Sequence, residues 1–255
     1  MTTRGFRSLL AVLDAGFEPV GVAMGAVAFQ MLRPGGCRGV YGAAYTTSDP
    51  VVYPTYEQAL FDTWTAAVTR LEAEAVRLGA HGVVGVTVKQ EWLPGAPSVL
   101  QFQLTGSAVR VRTVAPLARP FLSMLSMEQT LKLLLRGWVP CGVAFGVAAI
   151  HIHKWGSSAF WQGNTFTNAE MASPTAGMQL ARSRAQHGFR QSLASCKADG
   201  AVGARVELSN QTESCGGGRG MGMRLEGRMV GTGVVRFGAA AVPVDAYLSL
   251  AGSKR

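Results

Sequence analysis

The sequence predicts an α+β chain of two homologous domains, each a short helix, a strand, a long helix and a β-hairpin. Repeated patterns carry that prediction. Leu78-Gly79-Ala80-His81-Gly82-Val83-Val84-Gly85-Val86 reads as a helix end, a glycine turn and a buried strand, and Cys196-Lys197-Ala198-Asp199-Gly200-Ala201-Val202-Gly203-Ala204 repeats the grammar. Gly16-Phe-Glu-Pro-Val-Gly-Val-Ala-Met-Gly25 lies over Gly137-Trp-Val-Pro-Cys-Gly-Val-Ala-Phe-Gly146, with both outer glycines, the proline, the inner glycine, Val and Ala identical. Thr105-Gly106-Ser107-Ala108-Val109 is echoed by Val230-Gly231-Thr232-Gly233-Val234. At 255 residues the chain has room for two domains, expected at 1–112 and 126–255 with a linker at 113–125, where Pro116 and Pro120 sit.

In chain order, Ser8 to Ala15 is a short apolar helix closed by Gly16, a residue suited to the left-handed position after a helix end. Val20 to Leu32 is rich in Val, Ala and Gly and reads as a strand whose glycines let another backbone come close. Residues 33–54, with Pro34, Pro50 and Pro54, read as an excursion with little regular structure. A helix follows from about Tyr56 to Leu78. Thr55 and Gln58 have capping-box spacing, and Leu60, Trp64, Val68, Leu71, Ala75 and Leu78 form one apolar face. That face requires a sheet, supplied by the hairpin of Gly82–Glu91 and Ser98–Arg112.

The second half replays these elements. Ser126 and Gln129 again have capping-box spacing, ahead of an apolar helix closed by Gly137. Trp155–Pro174 matches the irregular excursion, Thr175–Lys197 the long helix, and Val202–Glu213 with Met221–Phe237 the hairpin.

Composition narrows the function classes. With 48% hydrophobic and 15% charged residues the chain is more apolar than a typical solitary domain, so some apolar surface is expected between subunits. The formal net charge of +9 comes from cations scattered singly, such as Arg33, Arg38, Arg70, Arg77, Arg110, Arg112, Arg182 and Arg184, with a loose pair at Lys254-Arg255. Scattered cations supply only the non-specific electrostatic part of nucleic-acid binding, so no strong nucleic-acid signal is present. Cys37, Cys141, Cys196 and Cys215 lack CxxC spacing and suggest reduced thiols in a cytoplasmic protein. Asp14 and Glu18 interrupt the N-terminal apolar run, which argues against a secretory signal. The apolar stretch Gly137–Ile150 falls short of the roughly 20 residues of a membrane-spanning helix.

The helix-Gly-Ala-x-Gly-x-Val-Gly-Val strand, the Gly-Trp-Val-Pro start and the closing Gly-Ser/Thr-x-Val together resemble the YbjQ-like domain, a heavy-metal-binding domain by its usual label, in tandem as in proteins of high-GC bacteria. The resemblance covers nearly the whole chain. It implies a homo-oligomer packed as a ring, a pentamer as in single-domain members, and brings no catalytic residues with it.

His151-Ile-His153 is the metal candidate. Two residues apart on a strand, the imidazoles project from one face about 6.6 Å apart along the axis and could share a divalent transition metal. The alternative is a pair of polar residues at a strand end, and Gln30 and Leu32 hold the matching positions in the first half. His81 and Asp199 share one slot after the helix, either as ligands or as turn formers that bond backbone amides. Cys215 with Arg219 could be an exposed thiolate or an ordinary loop cysteine, while Cys196 takes the place of Leu78 in the core. Gly216–Gly222 lacks the Lys-Ser/Thr ending of a phosphate loop and precedes a strand. No Ser/His/Asp or paired-carboxylate arrangement appears. The expectation is a non-enzymatic ring-forming oligomeric scaffold. The alternatives are a divalent heavy-metal-binding protein and a basic ring that binds nucleic acid or anionic membrane.

Overall fold

A computed structural model describes residues 16–31, 50–96, 98–112, 117, 119–154, 170–215 and 220–237. The expected helix at Ser8–Ala15, most of the two excursions, Cys37, the Gly216–Arg219 loop and the C-terminal tail lie outside them. The described elements run β1 (Phe17–Gln30), β2 (Pro50–Val52), α1 (Pro54–Arg77), β3 (Gly82–Trp92), β4 (Val99–Val111), β5 (Phe121–Leu122), α2 (Met127–Leu135), β6 (Trp138–Lys154), α3 (Ala172–Ser195), β7 (Gly200–Cys215) and β8 (Gly220–Arg236). They build two four-stranded sheets, β1-β4-β3-β5 and β2-β6-β8-β7.

This architecture corrects the predicted fold class. The described chain is about half strand, with three helices and two sheets, and is not a tandem pair of self-contained helix-strand domains. β2, expected within an irregular excursion, pairs with β6 of the second sheet, Val51 opposite His151. β5, expected within the linker, pairs in parallel with β3 of the first, Gly82 opposite Phe121. The physical reason is the edges: each extra strand covers part of an edge that a three-stranded unit alone would leave unpaired.

The apolar core crosses the same divide. Trp64 of α1 stacks on Phe145 of β6 with centroids 4.3 Å apart, and Phe102 of β4 meets both rings edge-on. Val143, Phe145, Ala149 and Val230 belong to the cluster that holds Leu60, Leu71 and Leu104. A smaller cluster under α3, with Ile150, Ile152, Ala181, Ala185 and Leu225, completes the second sheet.

Two strand glycines set how closely the helices pack. A Cβ on Gly25 would fall on the carbonyl oxygen of Ala67 and the amide of Leu71 in α1, and one on Gly146 on the same groups of Ala185 and Phe189 in α3. The long helices therefore rest backbone against backbone on β1 and β6, which only glycine permits.

The helix ends follow local chemistry. Ser126 and Gln129 form a reciprocal capping box on α2. α1 differs from its expected start: Pro54 occupies its first turn, no side chain caps it, and Gln58 donates instead to Asp62 at 2.8 Å. Gly79 after α1 and Lys197 after α3 both have left-handed backbone, at φ 64° and 55°. Lys197 thus accepts a conformation that glycine takes without strain.

Candidate functional site

His151 lies in the middle of the second sheet, buried, with its ring edge-on to Tyr53 at 5.4 Å. Val51 and Arg224 are its partners on the neighbouring strands. His153 faces Gly222 in the register, and its side chain lies outside the described set. Arg224 is itself buried, 3.0 Å from Glu226 Oε1 and 5.1 Å above the Tyr56 ring. A metal ion beside His151 would add positive charge next to a buried guanidinium. Among the described residues no three His, Cys, Asp or Glu side chains gather to hold a metal.

His81 and Asp199 do the same structural work in their shared slot. Nδ1 of His81 accepts the amide of Val111 and Oδ2 of Asp199 accepts that of Arg236, each at 2.9 Å. Their own amides donate to Val109 and Val234. Each residue thereby ties the end of its hairpin to the turn after the long helix.

A cleft of about 560 Å³ opens between α1 and α3, lined by Glu57, Phe61, Val147, Arg184, His187 and Gln191 among others. Arg184 grips Glu57 in a two-pronged bond at 3.1 and 2.6 Å, and Glu57 also accepts the amide of Ala149 at 3.0 Å. The hydrogen bonds that Arg184 donates to Glu57 hold its guanidinium more firmly protonated than usual, against the opposing effect of burial. With its carboxylate so engaged, the cleft is a seam between helices, and its described lining brings no second carboxylate for acid/base work.

Sequence reasoning missed one pair. Cys141 of β6 and Cys196 after α3 approach to 3.3 Å between sulfurs, both as free thiols. Burial, then the hydrogen bond and charge of Cys196, push the Cys141 thiol up to about 12. The repeat held the clue: Gly21 lies against Leu78 as Gly142 lies against Cys196, so Cys141 had to arrive beside the residue in the leucine's place.

The largest open features are strands. Among the described residues, β1 and β7 are the long edge strands of the two sheets, the opposite ends being the short β5 and β2. β1 exposes Val22, Met24 and Phe29, and β7 exposes Val206 and Leu208 within a run, 203–212, that is exposed throughout. Long edges with apolar side chains are templates for pairing with another chain unless something covers them. No described helix is long and apolar enough to cross a membrane, which says nothing of strands.

No family model matches the chain. It is similar to an encapsulin nanocompartment protein of Mycobacterium tuberculosis, 28% identical over 202 residues that cover 77% of this chain and 73% of that protein. These findings correct the YbjQ-like resemblance and its heavy-metal-binding label. The glycines of the motif behind that resemblance serve turns and strand packing, Gly79 and Gly85 through left-handed backbone at φ 64° and Gly82 by leaving room for the Phe121 ring, a local geometry that does not identify a family.

Proposed function

We propose that this chain is a non-enzymatic, self-assembling scaffold and that its assembled form is the wall of a protein compartment. The observation that carries the proposal is the pair of open, apolar-bearing edge strands, β1 and β7, one from each sheet. Similarity to a protein named for a nanocompartment supports the same reading. The setting is the cytoplasm, where thiols such as Cys141 and Cys196 stay reduced. A ring of five copies, the count that the YbjQ-like resemblance implied, would weigh about 135 kDa at 26.9 kDa per chain.

Light scattering and negative-stain microscopy of the purified full chain test this. Closed particles at 135 kDa or a larger multiple of 26.9 kDa are the expected result. A single chain at micromolar concentration would defeat it.

A further inference from the structure

The two halves of the chain present matching patches with opposite fates. On β6 and β8, Val143 stands opposite Thr232 and Phe145 opposite Val230. On β1 and β4 the corresponding pairs are Val22 with Ser107 and Met24 with Thr105. The β6–β8 patch is closed, with Val143 9% and Phe145 0% exposed. On the β1–β4 patch, Val22 is 71% and Met24 50% exposed.

What closes the inner patch is α1 of the first half and the segment that joins the halves. Trp64 stacks on Phe145, and the amide of Met124 donates to Thr232 Oγ1 at 2.9 Å. The segment holding Met124 runs along β3: the amides of Gly85 and Val86 donate to Leu125 and Ser123, and Ser123 donates back to Val83. The β3 edge and the β6–β8 patch thus form one junction.

The second half ends in the counterpart of that β3 edge. Gly203 in β7 repeats Gly85 down to its φ, 63° against 64°, and the register of β7 on β8 breaks at the same bulge as that of β3 on β4. Val83 and Val86 are buried, whereas Ala201 and Ala204, in the matching places on β7, are exposed. Each half of the internal junction therefore has an open equivalent elsewhere on the chain. The two equivalents belong to opposite halves, so one copy cannot bring them together in the manner of the internal junction.

We propose that the face carrying Val22, Met24 and Ser107 receives the β7 side of a second copy of this chain, head to tail, repeating between chains the junction that joins the halves within one. This rests on the self-assembly reading above and deepens it, because it names the two surfaces and their polarity. Such a contact is heterologous, so it propagates until the rotation between copies closes the assembly. Arg182 takes the place of Trp64 and Met24 that of Phe145, so the contact between chains lacks the aromatic stack and is weaker than the internal one.

The test uses two full-length variants. Val22→Glu with Met24→Glu blocks the front surface, and Val206→Glu with Leu208→Glu blocks the back. All four side chains are well exposed, so far-UV circular dichroism should match the wild type; if glutamate disturbs it, Val22→Ser with Met24→Gln and Val206→Ser with Leu208→Gln replace them. In light scattering the wild type is expected to assemble and each variant to run as one chain. An equal mixture of the two should give a two-chain particle, since each keeps the surface the other lacks. A wild type that stays a single chain overturns the self-assembly reading. An assembling wild type whose front-blocked variant still assembles, or whose mixed variants stay single, overturns the head-to-tail junction alone.

Discussion

β1 and β6 are the same strand built twice, and only one of them is finished. Both run through a glycine, a valine, an alanine, a large apolar residue and a second glycine, and both accept a long helix at that second glycine. From Val143 to Ile152, β6 is buried at nearly every position, while β1 alternates and leaves Val22 and Met24 open. A strand's own pattern decides which residues can be buried; whether both faces are covered depends on what the rest of the chain, or another chain, lays across them.

The comparison breaks most sharply at the paired apolar side chains. Phe145→Ala should cost about 3–5 kcal/mol, because it removes a buried ring stacked on Trp64. Met24→Ala should stay within about 0.5 kcal/mol in any unassembled variant. Urea unfolding of both, in the back-blocked background, which keeps Met24, checks the contrast. Equal costs would mean that the two faces are not the unequal pair described.

Next in size come the glycines, where the halves should agree. Gly25→Ala and Gly146→Ala each push a methyl into a helix backbone, and each should cost about 2–3 kcal/mol or prevent folding. A neutral result at Gly25 alone would show that α1 can slide off β1 in a way that α3 cannot slide off β6.

The cysteines give a smaller effect, confined to the second half, because Leu78 stands where Cys196 does. With its pKa near 12 in the folded state, against an ordinary 9, Cys141 keeps its proton where the unfolded chain would lose it. Stability from this source is therefore whole below about pH 9 and falls as pH rises from there toward 12. The urea midpoint of the wild type should drop between pH 9 and 10.5 by more than that of Cys141→Ser. At pH 8 iodoacetamide should label folded Cys141 at least about tenfold more slowly than a free thiol.

Smallest of all is the expected change on replacing His151 and His153 together by Ala, read by zinc, copper and nickel titration. The buried Arg224 opposite His151 argues for no tight uptake before or after. Sub-micromolar affinity lost in the double variant would establish a metal centre there.

What the sequence made legible was local. Capping at Ser126, the glycine approach at Gly25 and Gly146, and the shared slot of His81 and Asp199 are set by residues a few positions apart or by one repeat laid on the other. What it hid was long-range pairing. Pro50–Val52 is too short to show a period, and Phe121–Leu122 sits among prolines, yet each pairs with a strand of a sheet. The YbjQ-like resemblance failed for a related reason: glycines recur wherever a turn or a strand bulge needs left-handed backbone, as at Gly79 and Gly85, so they constrain geometry more than ancestry. The open patch needed burial values as well as the repeat, since Val22 and Val143 are the same residue in the same motif.

Peroxide footprinting of Met24 reads whether a second copy covers the β1 face in the assembly. Its side chain is half exposed in the single chain, so the back-blocked variant, which cannot cover it, should form the sulfoxide quickly. In the assembled wild type the same residue should oxidise at least about tenfold more slowly, because the next copy lies over it. Equal rates in the two proteins would show that the β1 face is open in the assembly and would contradict the account.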